Sequence, residues 1–138
     1  MIVVDSNVIA YCWINGPLTE AAQRVRALDP DWHAPILWRS ELRSILAGYL
    51  RDGTLDDAQI ARIMDAVETA LDGREHLVSS AGVFALVGRS KLSAYVAEFV
   101  ALAETLGVPL VTADRAVLKE FPERALTMEA FEARVGGS

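Results

Sequence analysis

Two aspartates follow short apolar runs that are typical of β-strands. Asp5 comes directly after Ile2-Val3-Val4, and Asp114 ends the segment in which Val108 to Val111 is followed by Thr112-Ala113. Open α/β sheets bind their ligands at the carboxyl ends of parallel strands, so acids at these positions face a crevice and not bulk water. The pair therefore predicts a polar site at one edge of a sheet.

Glu41 is a third acid with a suggestive position. It lies four residues after Leu37 and four before Ile45, so it borders the buried stripe of a predicted helix. Carboxylates gathered in one partly buried crevice repel each other, and Mg²⁺ or Mn²⁺ relieves that repulsion. Such cations can activate water and stabilise the charge that develops on a phosphodiester during hydrolysis. Metal binding is the interpretation that needs the fewest assumptions.

The predicted site therefore has three metal ligands and two supporting residues. The ligands, which are also the expected catalytic residues, are Asp5, Glu41 and Asp114. Asn7 and Thr112 stand two residues from the aspartates and are expected to orient carboxylates or metal-bound water.

The elements that must position these residues follow from the spacing of apolar and breaking residues. Strands are predicted at 2–4, 32–34, 76–79, 108–111 and 126–127. Helices are predicted at 7–13, 17–28, 81–88 and 93–106, with others opening at Pro35, around Thr54 and Asp57, after a Thr112 cap, and before Phe131. This alternation predicts one α/β domain over residues 1–138 with buried parallel strands.

Composition limits the class of protein. Hydrophobic residues make up 52% and charged residues 23%, which is typical of a globular fold. No apolar stretch approaches the ~20 residues of a membrane span, and no leader resembles a signal peptide. Cys12 is the only cysteine, so no intrachain disulfide can form and a cytoplasmic location is expected.

The net charge of −6 argues against a broad basic surface that holds nucleic acid by phosphate contacts alone. It does not exclude a nuclease, because a site that recruits phosphate through divalent cations must itself be acidic. Basic residues do lie near the proposed site elements, and ordinary solvated surface is their expected role; they are Arg39, Arg43, Arg89, Lys91 and Arg115.

At this point the chain resembles the PIN domain family, and within it the VapC-type toxins of type II toxin–antitoxin modules. The matching segments, in chain order, are residues 2–8, 35–42, 94–103 and 110–114. The resemblance implies a three-layer α/β/α fold with a central, mostly parallel sheet, and a ribonuclease that uses Mg²⁺ or Mn²⁺. It also implies a small VapB-like antitoxin as partner, an RNA substrate and a homodimer.

One position departs from the family pattern. The family places an acid directly after a tyrosine near the start of the helix that is predicted here at 93–106. In this chain Val96 follows Tyr95 at that position. Glu98 cannot simply substitute for it, because two residues turn a helical side chain by about 200°. The resemblance therefore implies weaker metal occupancy and reduced catalysis, and solvation at the surface is the expected role of Glu98.

Other interpretations stay open. Asp5 could merely cap a helix, Asp114 could interact with a helix dipole, and Glu41 could be a solvated flank residue. A degenerate PIN domain that binds antitoxin or RNA without efficient cleavage is a second hypothesis, motivated by Val96. A haloacid-dehalogenase-like phosphatase is a third, although its second aspartate would fall at Asn7.

Overall fold

The structure is a computed structural model that describes residues 1–136. Its strands are β1 (Ile2–Val4), β2 (Trp32–Pro35), β3 (Glu75–His76), β4 (Leu110–Val111) and β5 (Ala125–Leu126). Its helices are α1 (Ser6–Trp13), α2 (Thr19–Leu28), α3 (Trp38–Arg51), α4 (Asp57–Ala70), α5 (Ser80–Gly88), α6 (Ala94–Leu106), α7 (Arg115–Glu120) and α8 (Met128–Gly136).

The five strands form one sheet in the order β3-β2-β1-β4-β5, and each neighbouring pair is parallel. The chain first builds outward from β1 through β2 to β3, and it then returns to the other side of β1 to place β4. The direction of winding therefore reverses between β1 and β4, where such sheets open a crevice for a ligand. Across this switch point Val3 pairs with Leu110 and Val4 with Val111.

Helices flank the sheet in three α/β/α layers, as the family resemblance implied, and α6 packs against β1, β2 and β4. Its buried side includes Phe99, Val100 and Ala103. Strands covered on both faces become continuously apolar, and β1 and β4 are buried throughout. Gly107 ends α6 with a positive φ of 67°, a conformation that glycine adopts without steric cost.

The prediction that Pro35 opens a helix was wrong, because Pro35 is the last residue of β2 and α3 begins at Trp38. Proline is tolerated there because its missing N–H is not required. The amides of Ala34 and Ile36 donate to the carbonyls of Arg74 and His76, so the ladder between β2 and β3 skips residue 35.

Two other helix starts also differ from prediction. Helix α4 begins with a capping box made by Asp56 and Gln59, and not by Thr54 and Asp57. Helix α2 begins at Thr19, two residues after Pro17. The Thr19 hydroxyl accepts from the Gly16 amide at 2.9 Å and donates to the Ile14 carbonyl at 3.0 Å. These bonds hold the loop between α1 and α2 in place.

Within the part of the chain that the structure describes, no helix is both long and apolar enough to cross a membrane.

Candidate active site

Asp5 lies where β1 ends and α1 begins, and its carboxylate is held from two directions. Oδ1 accepts from the Val8 amide at 2.8 Å, so Asp5 is indeed the N-cap of α1. Oδ2 accepts from the Thr112 hydroxyl and from the Ala113 amide beyond β4, the latter at 3.3 Å. The carboxylate therefore bridges the carboxyl ends of the two central strands.

Asp114 occupies the corresponding position beyond β4. Its Oδ1 accepts from the amides of Ala116 and Val117 at 2.9 and 3.1 Å, which makes Asp114 the N-cap of α7. The prediction that Thr112 caps this helix was wrong. Thr112 instead accepts from the Asp114 amide at 3.0 Å while donating to Asp5, so one buried hydroxyl links the two aspartates.

Glu41 approaches from α3, and a neighbour that sequence reasoning missed positions it. The hydroxyl of Ser6 donates to Glu41 Oε1 at 2.7 Å. Ser6 is buried at the first turn of α1, directly after Asp5. The signal that could have identified it is adjacency, because a hydroxyl next to a candidate ligand is a natural partner for a second carboxylate.

All three carboxylates line one cavity of about 300 Å³ at the switch point. Asn7 also lines it, but no described residue hydrogen-bonds to the Asn7 side chain, so any orienting role there would be toward a ligand. Val96 forms part of the same wall. An acid at position 96 would thus face the other three, and valine puts an apolar surface there.

Glu98 does not line that cavity, as the rotation around the helix predicted. It lines a neighbouring one together with Tyr95 and Ile36. It is nevertheless partly buried, so the prediction of a solvated surface residue was wrong. Burial raises the pKa of Glu98, and the charge of Glu41 raises it further, which places the two glutamates near each other.

The acids of the cavity have no basic partner. Among residues 1–136, no lysine, arginine or histidine forms an ion pair with Asp5, Glu41 or Asp114. Burial raises the pKa of Asp5 more than its hydrogen bonds lower it, and the charge of Asp114 adds to the rise. A partly buried carboxylate without a counter-charge is costly, so a cation placed here would be favoured.

The donors fit a hard divalent cation. Asp114 Oδ2 and Glu41 Oε2 accept no hydrogen bond from residues 1–136, so both oxygens remain available. In that same range no three acidic, histidine or cysteine side chains form a ready-made metal cage. Mg²⁺ keeps several waters in its coordination sphere and takes only one or two carboxylates together with substrate phosphate oxygens.

Two of the nearby basic residues are occupied elsewhere. Arg39 pairs with Glu75 and Glu68, and Arg89 pairs with Glu104. Arg115, directly after Asp114, is exposed and forms no ion pair with any residue from 1 to 136. It lines a different cavity, together with Thr112 and Ala113.

Comparison with known proteins supports a relationship. No family model matches the chain. Over 124 residues the chain is 27% identical to Ribonuclease VapC3 of Pyrobaculum aerophilum, and the alignment covers 88% of this chain and 95% of that protein. The crystal structure of PAE2754 from the same organism superimposes with a TM-score of 0.76 at 21% identity, covering 99% of this chain and 97% of the other. The first is a sequence relationship, and the second shows the fold.

Proposed function

We propose that this chain is a PIN-domain protein of the VapC type, and that it acts as a metal-dependent endoribonuclease, the toxin of a toxin–antitoxin module. The observation that carries the proposal is the arrangement of Asp5, Glu41 and Asp114 around one cavity without a basic partner. The similarity to a protein named ribonuclease supports RNA as the substrate.

In this proposal the three acids hold Mg²⁺ or Mn²⁺, which when bound supplies Lewis-acid activation of water and offsets negative charge on the phosphate. Asp5 and Asp114 are kept in place by backbone amides at the starts of α1 and α7. Thr112 and Ser6 restrict the rotation of Asp5 and Glu41. Preorganised ligands of this kind lose little entropy when they bind.

The test is cleavage of structured RNA by purified, antitoxin-free protein with added Mn²⁺, compared with EDTA. Metal-dependent cleavage is expected. An inactive wild type together with an active Val96→Asp variant would show that the chain keeps the site but has lost catalytic power. Inactivity of both proteins would contradict the nuclease.

The second candidate, a degenerate domain that binds without cleaving, is favoured by one observation, the valine in the wall of the acidic cavity. Calorimetric titration with Mn²⁺ separates the two. Metal uptake that Asp5→Ala abolishes argues against a purely binding role, whereas absence of uptake by the wild type argues against the enzyme.

A protein partner is also part of the proposal. Leu77, Phe84 and Tyr95 are 87%, 67% and 66% exposed, and they line a common cavity. Large apolar side chains that are grouped at a surface are typical of protein contacts. We expect the chain to co-purify with a small antitoxin encoded beside it, and sedimentation of the free chain to report a homodimer. A consistently solitary monomer would contradict both expectations.

A further inference from the structure

A second cavity, of about 270 Å³, adjoins the acidic one, and Asn7 and Ile45 line both. Its walls come from α1, α3 and the loop between α1 and α2, and Tyr11 and Tyr49 contribute its two aromatic rings. We call it the tyrosine cavity. Because the two cavities share wall residues, a ligand with its phosphate at the acids can reach the tyrosine cavity with the adjoining part of its chain.

Tyr11 lines the tyrosine cavity, and its phenol interacts electrostatically with Asp5 in the acidic cavity. It stands one helical turn after Asn7 on α1, so both side chains lie on the same face of that helix. Burial raises the pKa of the Tyr11 phenol, and the charge of Asp5 raises it further. The hydroxyl therefore lies within the field of a proposed metal ligand, although its ring lines the adjoining cavity.

We propose that the tyrosine cavity binds the nucleobase next to the scissile phosphate of a single-stranded RNA. This inference rests on the proposed ribonuclease function. Proteins recognise unpaired bases by stacking them on aromatic rings and by hydrogen-bonding their edges. Tyr11 and Tyr49 are partly buried, so each ring is fixed by packing and still presents surface to the cavity.

The rest of the lining suits a base. Ala10, Ile14 and Ile45 provide apolar surface for the faces of a heterocycle. Asn15 is an exposed amide at the rim, and no described residue hydrogen-bonds to the Asn7 side chain at the boundary between the cavities. A planar group with polar edges can use both kinds of surface at once.

The cavity is also preformed. The Thr19 hydroxyl ties Gly16 to Ile14, so the loop keeps its shape without a ligand. Its volume lies just below the ~300–1,000 Å³ that drug-sized ligands occupy, which favours one base over a larger group. A preformed cavity lowers the entropic cost of binding, so even an isolated nucleoside is expected to bind measurably.

The first experiment tests base binding without metal or cleavage. Adenosine, uridine, cytidine and guanosine are each titrated to millimolar concentration into the uniformly ¹⁵N-labelled protein, with ribose as the control. At least one nucleoside is expected to shift the amide resonances of Asn15, Gly16 and Thr19, and ribose is not. No shifts, or shifts confined to other regions, would overturn the inference.

Variants then assign the effect to the aromatic ring. Tyr49→Ala is expected to abolish the nucleoside-induced shifts and to slow cleavage of RNA by about 5- to 100-fold, the range for loss of one base stack. Tyr49→Phe, which keeps the ring, is expected to behave like the wild type. The matched control is Leu50→Ala, because Leu50 directly follows Tyr49 on α3, is exposed and lines neither cavity.

The two proposals fail separately. If the wild type cleaves RNA but binds no nucleoside at the loop, the ribonuclease stands and the base-binding cavity does not. If nucleosides bind and no RNA is cleaved, the cavity stands and the nuclease fails. Should Tyr49→Ala not fold, the wild-type titration and Tyr49→Phe still decide, because loss of the shifts in Tyr49→Phe would contradict a role for the ring.

Discussion

The two ends of the central sheet treat acidic side chains in opposite ways. At the carboxyl ends of β1 and β4, Asp5 and Asp114 have no basic partner among residues 1–136. Near the amino ends of β1 and β2, Asp31 accepts from Arg74 at 2.8 Å and from His33 at 2.8 Å, and Asp29 pairs with the N-terminal ammonium of Met1 at 2.8 Å. We call the latter group the amino-end network.

The pKa shifts of the two ends also run in opposite directions. Burial raises the pKa of Asp5, whereas the guanidinium of Arg74 is the main reason that the pKa of Asp31 is lowered. A basic partner stabilises the ionised form of an acid and lowers its pKa, whereas burial without such a partner destabilises that form and raises the pKa. Paired charges therefore stabilise the fold at one end of the sheet, whereas acidic charge is left uncompensated at the end where the proposed cation would bind.

Removal of the charge of Asp5 should have the largest effect on the carboxyl-end site. Asp5→Asn keeps the size of the side chain but lowers its affinity for a hard cation, so RNA cleavage is expected to fall by about 100-fold or more. Initial rates at saturating Mn²⁺ measure the effect. A variant that retains wild-type activity would remove Asp5 from the proposed site.

Addition of Mn²⁺ should give the next largest effect. On the proposed function Mn²⁺ binds the folded acids and not the unfolded chain, so at about 100 times its Kd it should stabilise the fold by roughly 2.7 kcal/mol. For a domain of this size the melting temperature should rise by about 10 °C. The same addition should leave Asp5→Asn nearly unchanged in a thermal scan, and an equal rise in both proteins would point to binding elsewhere.

Val96→Asp adds one more acid without a basic partner to the cavity of Asp5, Glu41 and Asp114. We expect Mn²⁺ affinity to rise by about tenfold, which corresponds to about 1.4 kcal/mol. The metal-free variant should be less stable than the wild type because of added repulsion. Calorimetry measures the first effect and urea unfolding in EDTA the second, with Val96→Asn as the uncharged control.

Stability against pH distinguishes the two ends directly. Burial raises the pKa of Asp5 above its ordinary value of 3.8, so the folded state holds this proton more tightly than the unfolded state does. Ionisation of Asp5 therefore lowers the free energy of unfolding as pH rises from 3.8 to the raised pKa, and this loss of stability persists at higher pH. In EDTA at neutral pH, Asp5→Asn is expected to be more stable by about 1 kcal/mol. An advantage that is equal at all pH values would contradict this cause.

The amino-end network should show the smaller and opposite effect. The pKa of Asp31 is lowered, so its contribution to stability is present above 3.8 and is lost as pH falls through the lowered pKa. Because Asp31 and Arg74 are both 39% exposed, Arg74→Gln should cost only about 0.5 kcal/mol at neutral pH. Urea unfolding should show the two proteins converging in acid, and a constant difference would argue against the ion pair.

Sequence reasoning predicted the long elements well and their ends less well. The spacing of apolar residues predicted a helix at 93–106, and α6 spans Ala94–Leu106 and ends before Gly107. Pro35 and Thr112 were assigned to helix starts because both residue types favour such positions. In the structure Pro35 belongs to β2 and pairs with β3, and the Thr112 hydroxyl donates to the Asp5 carboxylate. Those competing partners come from residues 41 and 107 positions away in sequence, so no local pattern could reveal them.

By itself the sequence determined the order of strands and helices, the identity of the acids that follow β1 and β4, and the valine at position 96. These are consequences of local spacing and residue type. The tertiary structure was needed to show that Ser6 hydrogen-bonds to Glu41, that Glu98 is partly buried, and that Tyr11 and Tyr49 line a cavity beside the acidic one. The physical reason is that side-chain partners depend on how helices pack across the sheet, and that packing brings together residues with no periodic relation in the chain.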